Sequence, residues 1–295
     1  MEVIFRNVSY IYNKGLDNET RALDDINLFL ENGLIHGIIG PIGSGKSTLL
    51  ELMNGVARPS NGEIIIGNYD ITSKKRKFNF NKFRYDVGLV YQFPEKQFFC
   101  RTVGEEVSFS EKIFNSKKYK AIKNKTIKAL KMVGLDETYL NRSPFSLNSG
   151  EKRRVAIASV LISNPKLLIL DEPTIGLDNN GKKKLVIMLK KLKNMYNKTI
   201  IIVTHDVDML YEIVDNVVVL NNGKIVCEGP KIEVFSNVDM LNKNNTPIPS
   251  IIKIEKIIYD KTGIDLGVIN NLNGLVRSIA DCKDKLNEIE EESYE

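Results

Sequence analysis

Between Leu34 and Met53 the chain passes from a short apolar strand pattern, Leu34-Ile35-His36-Gly37-Ile38-Ile39, through Gly40-Pro41-Ile42-Gly43-Ser44-Gly45-Lys46-Ser47 into helical spacing. No other stretch limits the fold as strongly. A buried strand, a glycine-rich turn and a helix in that order satisfy G-x-x-x-x-G-K-[ST] in the context where that pattern cradles phosphate. The glycines let backbone N–H groups converge on phosphate oxygens, and the helix N-terminus adds partial positive charge. Lys46 is expected to reach the β- and γ-phosphates and Ser47 to ligate Mg²⁺. Gly40, Gly43, Ser44, Gly45, Lys46, Ser47 and Thr48 form the expected nucleotide-binding run.

Two later stretches narrow the chemistry. A second glycine-bearing turn, Phe145-Ser146-Leu147-Asn148-Ser149-Gly150-Glu151-Lys152-Arg153-Arg154, opens another helical pattern, and the apolar strand Leu167-Leu168-Ile169-Leu170 then ends in Asp171-Glu172-Pro173. Adjacent carboxylates where a strand leaves the core would repel each other without a cation. Mg²⁺ resolves that cost, with Asp171 holding the ion and Glu172 polarising the water that attacks the γ-phosphate. His205 follows the strand pattern Thr199–Thr204, which puts it at the carboxyl edge of an open sheet, where ligands of such folds bind and where it can hydrogen-bond the γ-phosphate. His36, inside a strand, reads as a packed or edge residue.

Strand patterns at 167–170, 200–203 and 217–220 alternate with helical ones, so an α/β fold with a mixed, largely parallel sheet is expected. From about 100 to 163 strand signals give way to helical spacing, as in Ile122, Ile127, Leu130 and Val133, predicting a helical insertion. Residues 1–235 then form one nucleotide-binding domain with its helical subdomain at about 100–163. The polar, Asn-rich stretch 236–249 is expected to be a linker. Residues 250–295 form a small C-terminal helical extension and candidate dimerisation element, with Ile251, Ile254, Ile257 and Ile258 on one face and Leu272, Leu275, Ile279, Leu286 and Ile289 on a similar stripe.

Composition excludes several classes. Lys+Arg 42 against Asp+Glu 37 leaves only +5, too mild to indicate nucleic acid. Much of it lies in Lys117, Lys118, Lys120, Lys123, Lys125, Lys128 and Lys131, read either as a solvated helix face or as a patch for anionic headgroups. Cys100, Cys227 and Cys282 are odd in number and widely spaced, without the pattern of a disulfide framework or a zinc site. The start of the chain carries no signal-peptide pattern, and its apolar runs are far too short to cross a bilayer.

With these motifs in this order, residues 2 to about 235 resemble an ATP-binding cassette (ABC) ATPase, which implies a P-loop NTPase fold, ATP and Mg²⁺. By position, Tyr12 matches the aromatic that stacks on adenine. Gln92 matches the glutamine that senses both Mg²⁺ and the attacking water, beside Ser47 and Asp171. Leu147 to Glu151 match the signature turn, Asp178 the loop that crosses to a second subunit, and His205 the switch histidine. The resemblance implies that Asn148, Ser149 and Gly150 complete the nucleotide site of a partner ATPase, identical or paralogous. Asn148, Ser149 and Glu151 replace the serine, first glycine and glutamine of the usual signature, so the expected consequence falls on the partner's site.

A narrower resemblance covers Pro94-Glu95-Lys96-Gln97-Phe98-Phe99, Val103 and Glu106-Val107-Ser108-Phe109, which looks like the Q-helix motif of energy-coupling factor (ECF) vitamin and metal importers. It implies that Gln92 to Phe109 grip a transmembrane coupling subunit, with a substrate-binding membrane subunit beyond it, and that the protein sits peripherally on the cytoplasmic face of the cell membrane. The alternatives are a soluble ABC-type ATPase acting on nucleic acid or ribosomes, or the ATPase of another ABC transporter class. Neither a long heptad run nor a second phosphate loop supports the former, and no Asn-Lys-x-Asp motif supports a guanine-nucleotide switch.

Overall fold

A computed structural model describes residues 1–72, 78–114, 119–267 and 269–292, the side chains of 114, 119 and 283–292 excepted. Lys117 and Lys118 of the basic run, and the side chains of Leu286 and Ile289, therefore lie outside the described residues.

The chain opens with β1 (Val3–Tyr12) and β2 (Thr20–Leu30), then β3 (Ile35–Ile39) and α1 (Lys46–Met53). β4 (Asn61–Ile66), β5 (Tyr69–Asp70), α2 (Phe80–Asp86) and β6 (Val87–Val90) follow. The helical insertion is α3 (Val103–Phe114), α4 (Tyr119–Met132) and α5 (Ser149–Leu161). Strands and helices then alternate through β7 (Leu167–Asp171), α6 (Asn179–Tyr196), β8 (Thr199–Val203), α7 (Val207–Ile213), β9 (Asn216–Asn221) and β10 (Lys224–Pro230). Short helices α8 (Lys231–Ser236) and α9 (Val238–Lys243) lead to α10 (Ser250–Thr262) and α11 (Leu272–Glu292).

Among the described residues the strands form two sheets, an antiparallel one in the order β2-β1-β4-β5 and a larger one in the order β10-β9-β3-β8-β7-β6. The larger sheet is parallel except for β10. β3, β8 and nearly all of β7 are buried throughout, as expected for parallel strands covered on both faces. One core, with Phe5, Leu23, Leu49, Leu52, Ile64 and Ile201, fills the space between the sheets around α1. The other, with Ile39, Val107, Leu130, Val155, Leu189 and Leu210, joins the opposite face of the larger sheet to the helices. The expected α/β class and helical insertion match this arrangement. The antiparallel β4–β5 unit lay outside the expectation because its apolar residues, Ile64, Ile65 and Ile66, run together without the alternation of a half-buried strand.

The stretch 236–249 is not a spacer. α9 occupies its middle with Leu241 fully buried, and Ile248 is also buried. Asn237 caps α9 by accepting from Met240 N, so the Asn-rich composition that suggested a linker is partly capping chemistry. The C-terminal extension docks on α7: the Tyr211 hydroxyl donates to Ile269 O at 2.7 Å, and Ser250 N and Oγ donate to Asp208. Burial pushes the Tyr211 phenol up to about 12, so it remains a donor. Ile252, rather than Ile257, is the buried isoleucine of α10, and on α11 Leu275 is buried while Leu272, Val276 and Ile279 are exposed.

Candidate functional site

Parallel pairing decides which residues meet. In β3 and β8, Ile38 lies opposite Val203, and in β7 and β8, Asp171 lies opposite Val203. β8 therefore runs between the strand feeding the phosphate loop and the strand ending in carboxylates. Its own end delivers Thr204 and His205 between them. β6, with Val90 opposite Leu170, ends at the same edge and releases Gln92 there with an exposed side chain.

The phosphate loop is built for backbone. Gly40, Gly43 and Gly45 have φ of 150°, 80° and 104°, in the region that favours glycine. A Cβ on Gly40 would lie 1.9 Å from Leu220 O, and one on Gly45 2.6 Å from Ala22 O. The β9–β10 hairpin braces this loop, since Gly223 N donates to Ser44 O at 3.0 Å. Its turn, Asn222-Gly223, has φ of 47° and 73°, the left-handed pair that a two-residue hairpin demands. Lys46 is buried, and its Nζ donates to Gly40 O, Pro41 O and Ser44 Oγ at 2.9, 2.8 and 3.4 Å. Burial holds its pKa below the ordinary lysine value, against the opposing pull of Glu172 and Asp171. Ser47 is exposed at the start of α1, while Thr48 is buried and shares a 3.0 Å hydrogen bond with the Tyr12 hydroxyl. Tyr12 thus stands beside the first turn of α1, its ring edge-on to Tyr10.

Asp171 has a raised pKa, first because it is buried and second because Glu172 is adjacent, with Lys46 and His205 opposing both. Glu172 has φ of 47°, a left-handed backbone that a non-glycine residue adopts only where its surroundings impose it. The imposing bonds are present: Glu172 N donates to Val203 O at 2.7 Å, and its Oε2 accepts from Thr204 Oγ1 at 2.8 Å and from His205 N at 3.3 Å. Oε1 lies 3.4 Å from His205 Nε2, and the histidine is about half exposed. Sequence reasoning placed Asp171, Glu172 and His205 but missed Thr204, whose hydroxyl is common enough in strands to carry no signal. His36 is fully buried with Nε2 2.8 Å from Glu31 O, in accord with a packing role.

Asn148, Ser149, Gly150 and Asp178 gather elsewhere. They line one cleft of about 600 Å³ with Tyr139 and Lys184, and among the described residues lining it none belongs to the phosphate loop. α5 packs on α3 and α4, whereas α1 packs on β2 and β7. Asn148 caps α5 by accepting from Glu151 N at 2.9 Å, and the Glu151 carboxylate accepts from Asn148 N at 3.1 Å, a reciprocal capping box. Its other oxygen accepts from the Tyr139 hydroxyl at 2.7 Å, which more than any other contact holds its pKa below the ordinary glutamate value. The substituted turn is therefore a well-capped helix start. Asp178 likewise caps α6 through Gly181 N at 2.7 Å.

The 92–109 segment divides its aromatics between core and surface. Phe98 is buried in the core, and the exposed aromatics are Phe99 (61 %) and Phe109 (41 %), stacked edge to face at 4.6 Å. Buried Glu106 fixes this loop by accepting from Phe99 N and Cys100 N. On α4, Lys120, Lys123, Lys128 and Lys131 are exposed, but Lys125 pairs with fully buried Glu111 at 2.8 Å and is structural.

The family profile described as ABC transporter matches residues 23–175. The energy-coupling factor transporter ATP-binding protein EcfA3 of Oenococcus oeni is 40% identical over 280 residues, covering 95% of this chain and 96% of that protein. Its counterpart EcfA2 of Enterococcus faecalis is 41% identical over 259 residues, covering 88% and 89%. Among solved structures, cbiO1 of Clostridium perfringens, part of the ABC transporter complex cbiONQ, superposes with a TM-score of 0.73 at 35% identity, covering 86% of this chain and 98% of that one. The ATP-binding cassette MJ0796, a dimer in a post-hydrolysis state bound to ADP and Pi, superposes with a TM-score of 0.69 at 29% identity, covering 78% and 98%. With matches spanning most of its length, the chain belongs to the ABC transporter family, among the ATP-binding proteins of energy-coupling factor transporters.

Proposed function

We propose that this chain hydrolyses ATP between two ATPase subunits to drive an ECF-type importer of vitamins or metal ions, from the cytoplasmic face of the membrane. The observation that carries the reading is the convergence of Lys46, Asp171, Glu172 and His205 on one sheet edge, while Asn148, Ser149, Gly150 and Asp178 line a separate cleft. A second subunit supplying its own signature turn would complete the site. Among the described residues no helix is long and apolar enough to cross a membrane, so membrane partners would anchor the pair.

In this reading the backbone N–H groups from Gly43 to Ser47 and the Lys46 ammonium hold the phosphates, exchanging the lysine's loop-carbonyl contacts for phosphate oxygens. Tyr12 stacks on the base. A glycine cradle that a Cβ would fill and a carboxylate whose pKa is raised by burial both suit a nucleotide with a divalent cation. Among the described residues no cluster of three or more His, Cys, Asp or Glu could hold a metal alone. Ser47, Asp171 and Gln92 would share Mg²⁺ with phosphate, and the ion would supply charge neutralisation for phosphoryl transfer. Glu172 takes the proton of the attacking water, its Oε2 fixed by Thr204 and the His205 amide, while the His205 ring hydrogen-bonds the γ-phosphate.

The exposed pair Phe99 and Phe109 is the proposed contact with the transmembrane coupling subunit. Phe99→Ala combined with Phe109→Ala should leave ATP binding by the chain within about twofold, because both rings are exposed and neither lies in the nucleotide site, and reduce recovery of the membrane complex at least about tenfold, as loss of an aromatic anchor does. Normal assembly and normal ATP-driven uptake by this double variant would remove the segment from the interface.

The capped signature turn gives a second expectation. Ser149 places a Cβ where donors should approach the γ-phosphate closely, and Glu151 adds negative charge near by. Restoring Ser, Gly and Gln at 148, 149 and 151 should raise hydrolysis at the partner's site by about tenfold, while the site holding this chain's own Lys46 is unaffected. The helix cap survives, since Ser and Gln also form a capping box. The measurement is hydrolysis in complexes where one subunit at a time carries the glutamate-to-glutamine change. No gain at the partner's site would make the substituted turn functionally neutral.

A further inference from the structure

Arg153 is a buried charge in the helical half of the chain whose donors are mostly unmet. It sits on α5 just past the signature turn, 2 % exposed, and its Nη2 donates to Ile175 O at 2.9 Å. Glu95 Oε2 lies 3.9 Å from the same nitrogen. Among the described residues Arg153 Nε and Nη1 and Glu95 Oε2 are all buried without a hydrogen-bond partner. A buried guanidinium with most of its donors unmet is costly to keep, and an apolar side chain of similar size would often serve stability better. Stability alone does not account for it.

Its contacts do. Ile175 closes the turn that begins at Glu172, with Ile175 N donating to Glu172 O at 3.4 Å, and the same connection ends at Asp178, the cap of α6. Glu95 sits in a 3₁₀ turn (Pro94–Gln97) that follows Gln92 and precedes Phe99, with a quarter of its side chain exposed. One cation thus touches the turn carrying the catalytic glutamate and the carboxylate of the outward-facing segment, while riding on the signature helix. We propose that Arg153 is a positioning residue through which displacement of the Glu95 segment reaches Glu172. This rests on the reading above, in which Glu172 is the base and the 92–109 segment meets the membrane partner. A cation arriving from outside can engage Glu95 without entering the nucleotide site. Because Arg153 is held between Glu95 and the Ile175 carbonyl, a shift of one alters its grip on the other.

The test uses the full chain with its ATPase partner and without membrane subunits, so that Glu95 has no outside contact to lose. Saturating and sub-saturating MgATP are supplied to Arg153→Gln, Glu95→Gln, the double variant and Glu172→Gln. Arg153→Gln should lower kcat by about tenfold, the scale expected from a misplaced catalytic group, with KM for ATP within about twofold. Glu95→Gln should lower kcat by about threefold, and the double variant should match Arg153→Gln alone, because coupled residues do not add. Independent, multiplicative losses would overturn the proposal, as would an unchanged kcat for Glu95→Gln, an isosteric change at a partly exposed side chain that remains informative if Arg153→Gln fails to fold. A loss appearing only as raised KM would also overturn it. If Glu172→Gln abolishes hydrolysis while the other variants behave like the parent, this proposal alone fails. If Glu172→Gln hydrolyses normally, the catalytic reading beneath it fails too.

Discussion

Glu172→Gln should bind ATP with near-parental affinity, hold the ATPase pair closed and hydrolyse roughly 10²–10⁴-fold more slowly, the range attributed to a positioned general base. The amide matches the carboxylate in shape and can still accept the Thr204 hydroxyl that now bonds Oε2 at 2.8 Å. It cannot accept a proton from water. The strained backbone at φ of 47° is set by the Val203 and Thr204 contacts rather than by the charge, so the variant should fold normally. Size-exclusion chromatography with ATP, beside single-turnover release of phosphate, reads both halves of the expectation. Steady-state hydrolysis at the parental rate would remove Glu172 from the proposed role.

Gly40→Ala should abolish nucleotide binding, weakening it by at least about 100-fold, and should cost about 2–4 kcal/mol of stability, as expected for overpacking combined with a backbone outside the ordinary regions. The cause is a direct overlap: its Cβ would meet Leu220 O at 1.9 Å on the strand that helps to brace the loop. Gly15→Ala is the control, because Gly15 also has positive φ (79°) but a Cβ there meets nothing within 4 Å. It should cost only about 1 kcal/mol and leave binding intact. Thermal unfolding with and without ATP separates the two. Equal losses from both variants would show that conformation, and not contact with β9, governs the loop.

Much of this site was legible because its chemistry is local. A phosphate loop needs glycines at fixed positions, and a buried strand announces its end when carboxylates interrupt an apolar run, so Gly40–Thr48, Asp171 and Glu172 could be placed from spacing. What the sequence concealed is tertiary. Phe98 and Phe99 are chemically identical neighbours, and only packing of the loop held by Glu106 buries the first and exposes the second. Glu151 reads in sequence as an added charge near phosphate, yet the structure engages it with Asn148 and Tyr139 at a helix start. Arg153 lay inside a recognised motif, but its meeting with Glu95 and Ile175 joins three separate stretches of chain. The same holds for 236–249, where a polar composition masked one fully buried leucine, Leu241.

On the proposed reading, this chain works as one of a pair of ATPases on a membrane importer. Native mass spectrometry of the detergent-extracted assembly, purified through this chain, tests it most directly. The expected particle contains two ATP-binding subunits, this chain among them, together with a transmembrane coupling subunit and a substrate-binding membrane subunit. Recovery of the chain with only soluble partners, with ribosomal particles or with nucleic acid would contradict it.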